Sequence, residues 1–253
     1  MKKTLPIACE LFDSYWTRLL DMGNRIGTWG DNEPAYYISA GGKDRPDFAS
    51  GVVQFMNPDG TDGGAFSAPE FLGRLTHRET DYSYAGKTSY KGQVIRANSL
   101  ARINMFESME TTRAEKYLKR FRSDFGRPAH ELLLYDLARG IELVYAIERA
   151  IRILEEPLVA AETAVAHTPQ DGEGYGLVEA PRGPLIHHYR VRNGLIEKAE
   201  FIIPTVHNVM AIERALKVAA QRYVSPQKVD MELEHAVGRV VRAFDPCIAC
   251  ATH

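Results

Sequence analysis

The sequence predicts an α+β protein, mainly α, with a helical-bundle core and small antiparallel β elements. Three observations predict it. Apolar residues recur at helical spacing through 7–26, 108–153 and 208–244. Short alternating stretches, set apart by Gly, Asp, Asn and Pro, fill 28–66 and 175–204. No internal repeat and no low-complexity linker divides the 253 residues, which is one large domain or two intimately packed ones.

In chain order, 7–26 reads as a helix with Leu11, Tyr15, Leu19 and Met22 on one face, fading at Gly23 and Gly27. "AYYISA" and "GVVQFM" read as strands, and "NPDGTDGG" as a hairpin or tight loop. "SAPEFLGRL" carries a helix start: Ser67 as cap, Pro69 in the first turn and Glu70 three residues on. Residues 77–106 read as loop with a strand or two. Residues 108–125 and 129–154 are helices broken at "GRP"; the second, rich in Leu, Ile and Ala, suits a buried bundle helix. "YGLVEAP", "LIHHYRV" and "LIEKAEFIIP" alternate, and Asn193-Gly194 signals a hairpin. Flanking strand formers and the absence of a following helix reject "GEGYGLVEA" as a phosphate loop. Two helices, 208–224 and 228–244, lead into the tail.

Net charge is −2, with 31 basic and 33 acidic residues, so nothing suggests a nucleic-acid surface. No apolar run approaches a membrane span, and "MKKTLPIACELF" lacks the apolar core of a signal peptide. The three cysteines are Cys9, Cys247 and Cys250, a low odd count that fits a reducing compartment. Two of them sit at the end, in "DPCIACATH". A C-x-x-C with a nearby His serves as part of a zinc site, as a redox pair, or as ligands for a softer metal. A closed zinc site wants a second ligand pair, which is missing, and a redox pair normally opens a helix, whereas this one follows a helix.

The surrounding motifs add a resemblance. "RAFDPCIACATH" resembles the C-terminal D-P-C-x-x-C-x-x-H of nickel-iron hydrogenase large subunits. "GYGLVEAPRGPLIHH" resembles that family's G-x-G-x-x-E-A-P-R-G-x-L-x-H segment, and "FIIPTVHN" its P-T/S-x-x-N segment. "YKGQVIRANSLARIN" resembles a segment normally written G-P-L-A-R-x-N. The four stand in the family's order, and "SLARIN" leans toward the soluble, cytoplasmic bidirectional branch. The resemblance implies a large-subunit-like fold and reversible oxidation of dihydrogen at a nickel-iron centre carrying carbon monoxide and cyanide. It makes Cys247 a terminal thiolate on nickel and Cys250 a bridge between nickel and iron. It gives His253 to a nearby magnesium or similar hard ion, with the backbone carbonyl of Phe201 as a further ligand. It places Arg182 over the open metal position, paired with and oriented by Asp245. Pro181, Pro204 and Thr205 would line the pocket of the iron's cyanides, Thr205 as a donor or as a helix cap, or both. Glu179 and His187 belong to the matched segment and equally suit buried hydrogen bonds. Implied partners are an iron-sulfur small subunit, a diaphorase-type module using a nicotinamide or deazaflavin carrier, and a protease that trims a short extension after the histidine.

One departure is large. The family supplies a second, N-terminal C-x-x-C and early acidic residues, and neither is found here; Cys9 stands alone in a helix. The whole chain, 1–253, is therefore expected to be the C-terminal portion of a large subunit, a fragment or split subunit inactive by itself, with an N-terminal large-subunit segment as a further partner. Apolar faces on the helix within 127–153 are then expected to lie exposed. Two rivals stand beside this reading: a non-catalytic electron-transfer or scaffold subunit related to the complex I homologue, and a zinc or thiol-redox module.

Overall fold

The computed structural model describes residues 1–26, 31–49, 51–157, 170–224 and 231–252, together with 164, 166 and 168. Its elements run α1 (Thr4–Ile26), β1 (Tyr36–Ser39), β2 (Val52–Met56), β3 (Asp62–Ser67), α2 (Ala68–Arg74), β4 (Leu75–Thr80), β5 (Ser83–Tyr90) and β6 (Ile95–Arg96). Then follow α3 (Ser99–Met105), α4 (Thr112–Phe125), α5 (Leu134–Glu155), β7 (Gly172–Ala180), β8 (Gly183–Arg192), β9 (Leu195–Ile202), α6 (Pro204–Tyr223), α7 (Met231–Phe244) and the single turn α8 (Ile248–Ala251). No helix among the described residues is long and apolar enough to cross a membrane.

The helices share one apolar core drawn from α1, α3, α4, α5, α6 and α7. A second core lies where β1, β2, β5, β6 and α2 meet Ile186 of β8. The sheets are small: β3-β2-β1-β6, the β4-β5 hairpin, and the β7-β8-β9 meander. All pairs are antiparallel except β1 with the two-residue β6, which the chain reaches only after α2 and the β4–β5 hairpin. The expected turns form. The Asn57 N–H donates to Thr61 O at 2.9 Å between β2 and β3, and Asn193 and Gly194 take positive φ of 54° and 72° between β8 and β9. At α2 the Ser67 N–H donates to the Glu70 carboxylate at 2.9 Å.

Four boundaries or faces differ from expectation. α1 buries Cys9, Phe12, Trp16 and Leu19, while Leu11 and Tyr15 stay exposed. Aromatic packing turns it: Trp16 lies against Tyr117, Phe121 and Phe125 of α4, and Phe12 seats where Gly140 of α5 leaves room for its ring. α5 begins at Leu134 rather than 129, because the backbone there is bonded sideways. Ala129 O accepts from Tyr37 Oη at 2.8 Å and from Asn104 Nδ2 at 2.9 Å, and His130 O accepts from Arg96 Nη1 at 2.6 Å. "SLARINM", expected as loop, is helix α3, started by the Asn98 side chain accepting the Ser99 N–H at 2.6 Å. α6 begins at Pro204, which suits the first helical position, so Thr205 sits inside the first turn rather than capping a later start. On α5, Leu143 and Ile153 do stay exposed, although Leu134 through Tyr145 contributes most of that helix's core residues.

Candidate metal centre

The turn between β7 and β8, Pro181–Arg182, is the centre of the arrangement. Gly183 closes it at φ +132°, and a Cβ there would lie 2.6 Å from Ala97 Cβ, so backbone conformation and close approach both require glycine. Below the turn, Arg102 of α3 spreads its guanidinium over three elements. Its Nε and Nη2 donate to Glu142 of α5 at 2.5 and 2.8 Å. Its Nη1 donates to Glu179 at 2.7 Å, and Nη2 to the Pro181 carbonyl at 2.9 Å. The second Glu179 oxygen accepts the Ala40 N–H at 2.6 Å. Glu179 is buried, and burial pushes its carboxyl up against the opposing pull of Arg102. Its contacts are those of a structural hydrogen-bonding group. His187 keeps to the sheet: its partners are the Tyr189 hydroxyl at 3.3 Å and the Phe201 ring at 4.7 Å.

Above the turn, Arg182 meets the tail. Its Nη2 lies 2.8 Å from Asp245 Oδ2, and its Nε donates to the Asp245 carbonyl. Asp245 ends α7 with a positive φ of 46°, which turns the chain back toward Arg182. Asn208 of α6 reaches the turn from the third side: its Nδ2 donates to Arg182 O at 3.1 Å while its Oδ1 accepts the Ala97 N–H at 2.9 Å. Asn98 joins the base of the tail, donating to Phe244 O at 2.8 Å. Its φ of +85° with ψ of −172° is a conformation nearly confined to glycine, held here by that bond and by its side chain's contact with the Ser99 N–H. The buried Thr205 accepts the Cys247 N–H on its hydroxyl at 3.1 Å. Pro204 is buried beside it, while Pro181 is exposed.

The two tail sulfurs, expected as free thiolates, are joined in a disulfide with Cα atoms 5.4 Å apart, a separation within the ordinary reach of a bridge. The pair both follows α7 and opens α8, so the order expected of a redox pair and that of a tail motif coincide here. Cys250 is exposed and Cys247 half-buried. Ala251 is packed with Ala85 and Val206. It shares with Phe201 and Ile203 the lining of a cleft of about 650 Å³. His253 lies outside the described residues. Among the described residues no group of three or more His, Cys, Asp or Glu is placed to hold a metal, and Cys9 is buried in the helical core. Reduced, the tail offers two soft thiolates, which suits nickel or iron but fills half of a four-thiolate set.

A family model for nickel-dependent hydrogenases matches residues 41–253. This chain belongs to the nickel-dependent hydrogenase family. It is 36% identical over 222 residues to a chain of the vhu F420-non-reducing hydrogenase of Methanococcus voltae, a match covering 84% of this chain and 51% of that one. A chain of the F420-non-reducing hydrogenase of Methanothermobacter thermautotrophicus is 32% identical over 259 residues, 99% of this chain and 53% of its own. The beta chain of the NAD-reducing hydrogenase HoxS of Cupriavidus necator is 30% identical over 90% of this chain and 49% of its own. The chain thus spans about half the length of the curated relatives it matches. Among solved structures, an NAD+-reducing [NiFe]-hydrogenase in its H2-reduced state superposes with TM-score 0.79 at 26% identity, over 98% of this chain and 58% of that one. Membership of the family implies a nickel-iron centre.

The residues that position this site without being expected to are Arg102, Glu142, Asn98 and Asn208. Three of them lie within the "ANSLARIN" and "IIPTVHN" stretches; Glu142 carried no signal beyond its place on an amphipathic helix.

Proposed function

We propose that this chain is the C-terminal part of the large subunit of a hydrogenase and takes part in reversible oxidation of dihydrogen. The observation that carries the reading is the convergence at one turn: Thr205 fixes the Cys247 backbone while Arg182 is fixed on Asp245, two residues before it. A nickel-iron centre, when bound, would supply heterolytic cleavage of dihydrogen. Cys247 and Cys250 would hold it through their sulfurs, and a tail thiolate would accept the proton. Arg182, oriented by Asp245, supplies a fixed positive field where charge develops. Pro204 and the Thr205 hydroxyl would line the pocket of the iron's cyanides, and Pro181 would help shape it. His253 and the Phe201 carbonyl would serve a magnesium or similar hard ion. The remaining thiolates would come from an N-terminal large-subunit segment, and electrons would leave through an iron-sulfur small subunit. A diaphorase-type module, a maturation protease and a cytoplasmic setting complete the proposal.

The test is elemental analysis of the complex purified from its host, combined with infrared spectroscopy in the carbon monoxide and cyanide stretching region. Nickel and iron with those bands are expected. Zinc in their place, or no bands, would sink the reading. The disulfide favours one second reading, a thiol-redox module, which predicts a complex free of nickel and a Cys247–Cys250 couple active in exchange with added thiols.

A further inference from the structure

β9 is an outer strand of the β7-β8-β9 meander, and no described strand pairs with its far edge. Apolar side chains crowd that edge: Leu195 is 73% exposed, Ile196 63% and Phe201 48%. Edge strands ordinarily keep other chains away with charge and with bulges. β9 has both, Lys198 and a bulge where Glu197 slips between the Arg190–Lys198 and Val191–Ile196 pairs. Neither device works against a second copy of the same strand. In an antiparallel pairing about a two-fold axis, opposed residues share a face, so the axis passes through a residue. With the axis at Ala199, Lys198 faces Glu200 of the second copy, and Glu200 faces its Lys198. Within one copy Lys198 already lies 2.9 Å from Glu200, so the four charges alternate in sign around the axis. The bulge then sets Ile196 opposite Phe201 and Leu195 opposite Ile202, apolar against apolar. Ile202 lines the cleft of about 650 Å³ beside β4 and β5, which gives Leu195 of the second copy a place to enter. An axis at Lys198 or Glu200 would set like charges face to face, and one at Phe201 would set Glu200 against Ile202.

We propose that β9 is an interface between two copies of this chain, paired antiparallel about a two-fold axis at Ala199 so that two three-stranded meanders become one continuous sheet. The inference is independent of any metal at the tail. The pairing is short, so the dimer forms at about micromolar concentration or above.

The experiment uses the full chain. Sedimentation velocity from about 1 to about 200 μM should show a monomer giving way to a dimer. Lys198→Glu and Glu200→Lys each set two like-charge pairs across the axis, and each should weaken self-association at least about tenfold. Mixing the two variants should bring the dimer back, because both cross pairs are then opposite in sign. Ala199→Cys reads the register: residues opposed across the strands have Cα atoms about 4.5–5.5 Å apart, within reach of a disulfide, so mild oxidation should link two chains through position 199. Lys198→Cys, which faces position 200 of the second copy, should link far more slowly. A native chain that stays monomeric over the whole range would overturn the proposal. So would a dimer that both charge variants leave intact, or variants that are folded by circular dichroism yet do not associate on mixing. Should a charge variant fail to fold, the two cysteine variants decide alone, and equal rates of linking would overturn the interface.

Discussion

The support beneath the Pro181–Arg182 turn and the tail above it meet at the same residues, yet they are held by different means. Below, Arg102 is almost fully buried and fixed by two carboxylates and the Pro181 carbonyl on three separate elements. Above, the Arg182–Asp245 pair is partly open to water, and Thr205 contributes one hydrogen bond to Cys247. The difference teaches where rigidity is needed. The turn that carries Arg182 is anchored by charge out of water, where interactions are strong and exacting. The segment that carries the sulfurs is anchored lightly, by one exposed ion pair and one hydrogen bond.

Removing the buried anchor is the largest way to break that contrast. Arg102→Met leaves Glu179 and Glu142 facing each other without their shared cation, and loss of one partner of a buried pair costs about 3–5 kcal/mol. Urea unfolding of the variant should show a loss of that size. A loss under about 1 kcal/mol would mean that the Glu179–Ala40 bond and the strand pairing hold the turn by themselves.

A middle-sized effect separates the two regions by pH. His207, on α6, is fully buried, with Thr88 Oγ1 3.3 Å from its Nδ1 and the Phe71 ring beside it. Burial pushes its pKa from 6.5 down to about 4. The folded value is depressed, so its stability is complete above pH 6.5 and is lost as pH falls toward 4. At pH 5 the loss is about 2 kcal/mol relative to pH 8. Denaturation at the two values should show that slope in the native chain and its disappearance in His207→Asn. An unchanged slope in the variant would place the acid sensitivity in the carboxylates instead.

Much of this was legible in the sequence, and what was not has physical reasons. The hairpin at Asn193-Gly194 and the start of α2 at Ser67 depend on local backbone chemistry, which neighbouring residues fix. Arg182 and Asp245 were readable as a pair because their motifs resemble a known family. The face of α1 was not readable: Leu11 and Phe12 are equally apolar, and Gly140, 128 residues on, decides which one is buried. The start of α5 was lost for a similar reason, since Tyr37, Asn104 and Arg96 take the backbone that periodicity assigned to a helix. The support itself was hidden inside "LARIN" and "ELVYAIE", where a buried arginine and its glutamate look like ordinary helix surface. The disulfide depends on redox state, which no spacing rule determines.

The smallest effect is also the sharpest probe of the tail. Thr205→Val keeps the volume of the side chain and removes the oxygen that accepts the Cys247 N–H. A lost hydrogen bond of this kind costs about 1 kcal/mol, because the freed amide can turn to water beside an exposed Cys250. Global unfolding should then hardly separate the variant from the parent, whereas hydrogen exchange at the Cys247 amide should quicken about fivefold. Thr205→Ser, which keeps the hydroxyl, should restore slow exchange. Were the Cys247 amide equally fast in all three proteins, Thr205 would not hold the tail, and Arg182 with Asp245 would be left as its polar fixing. Protection that persists in the valine variant would instead mean that Ala251 packing anchors the segment, which would bring the tail nearer in kind to the buried support than the hydrogen bonds alone suggest.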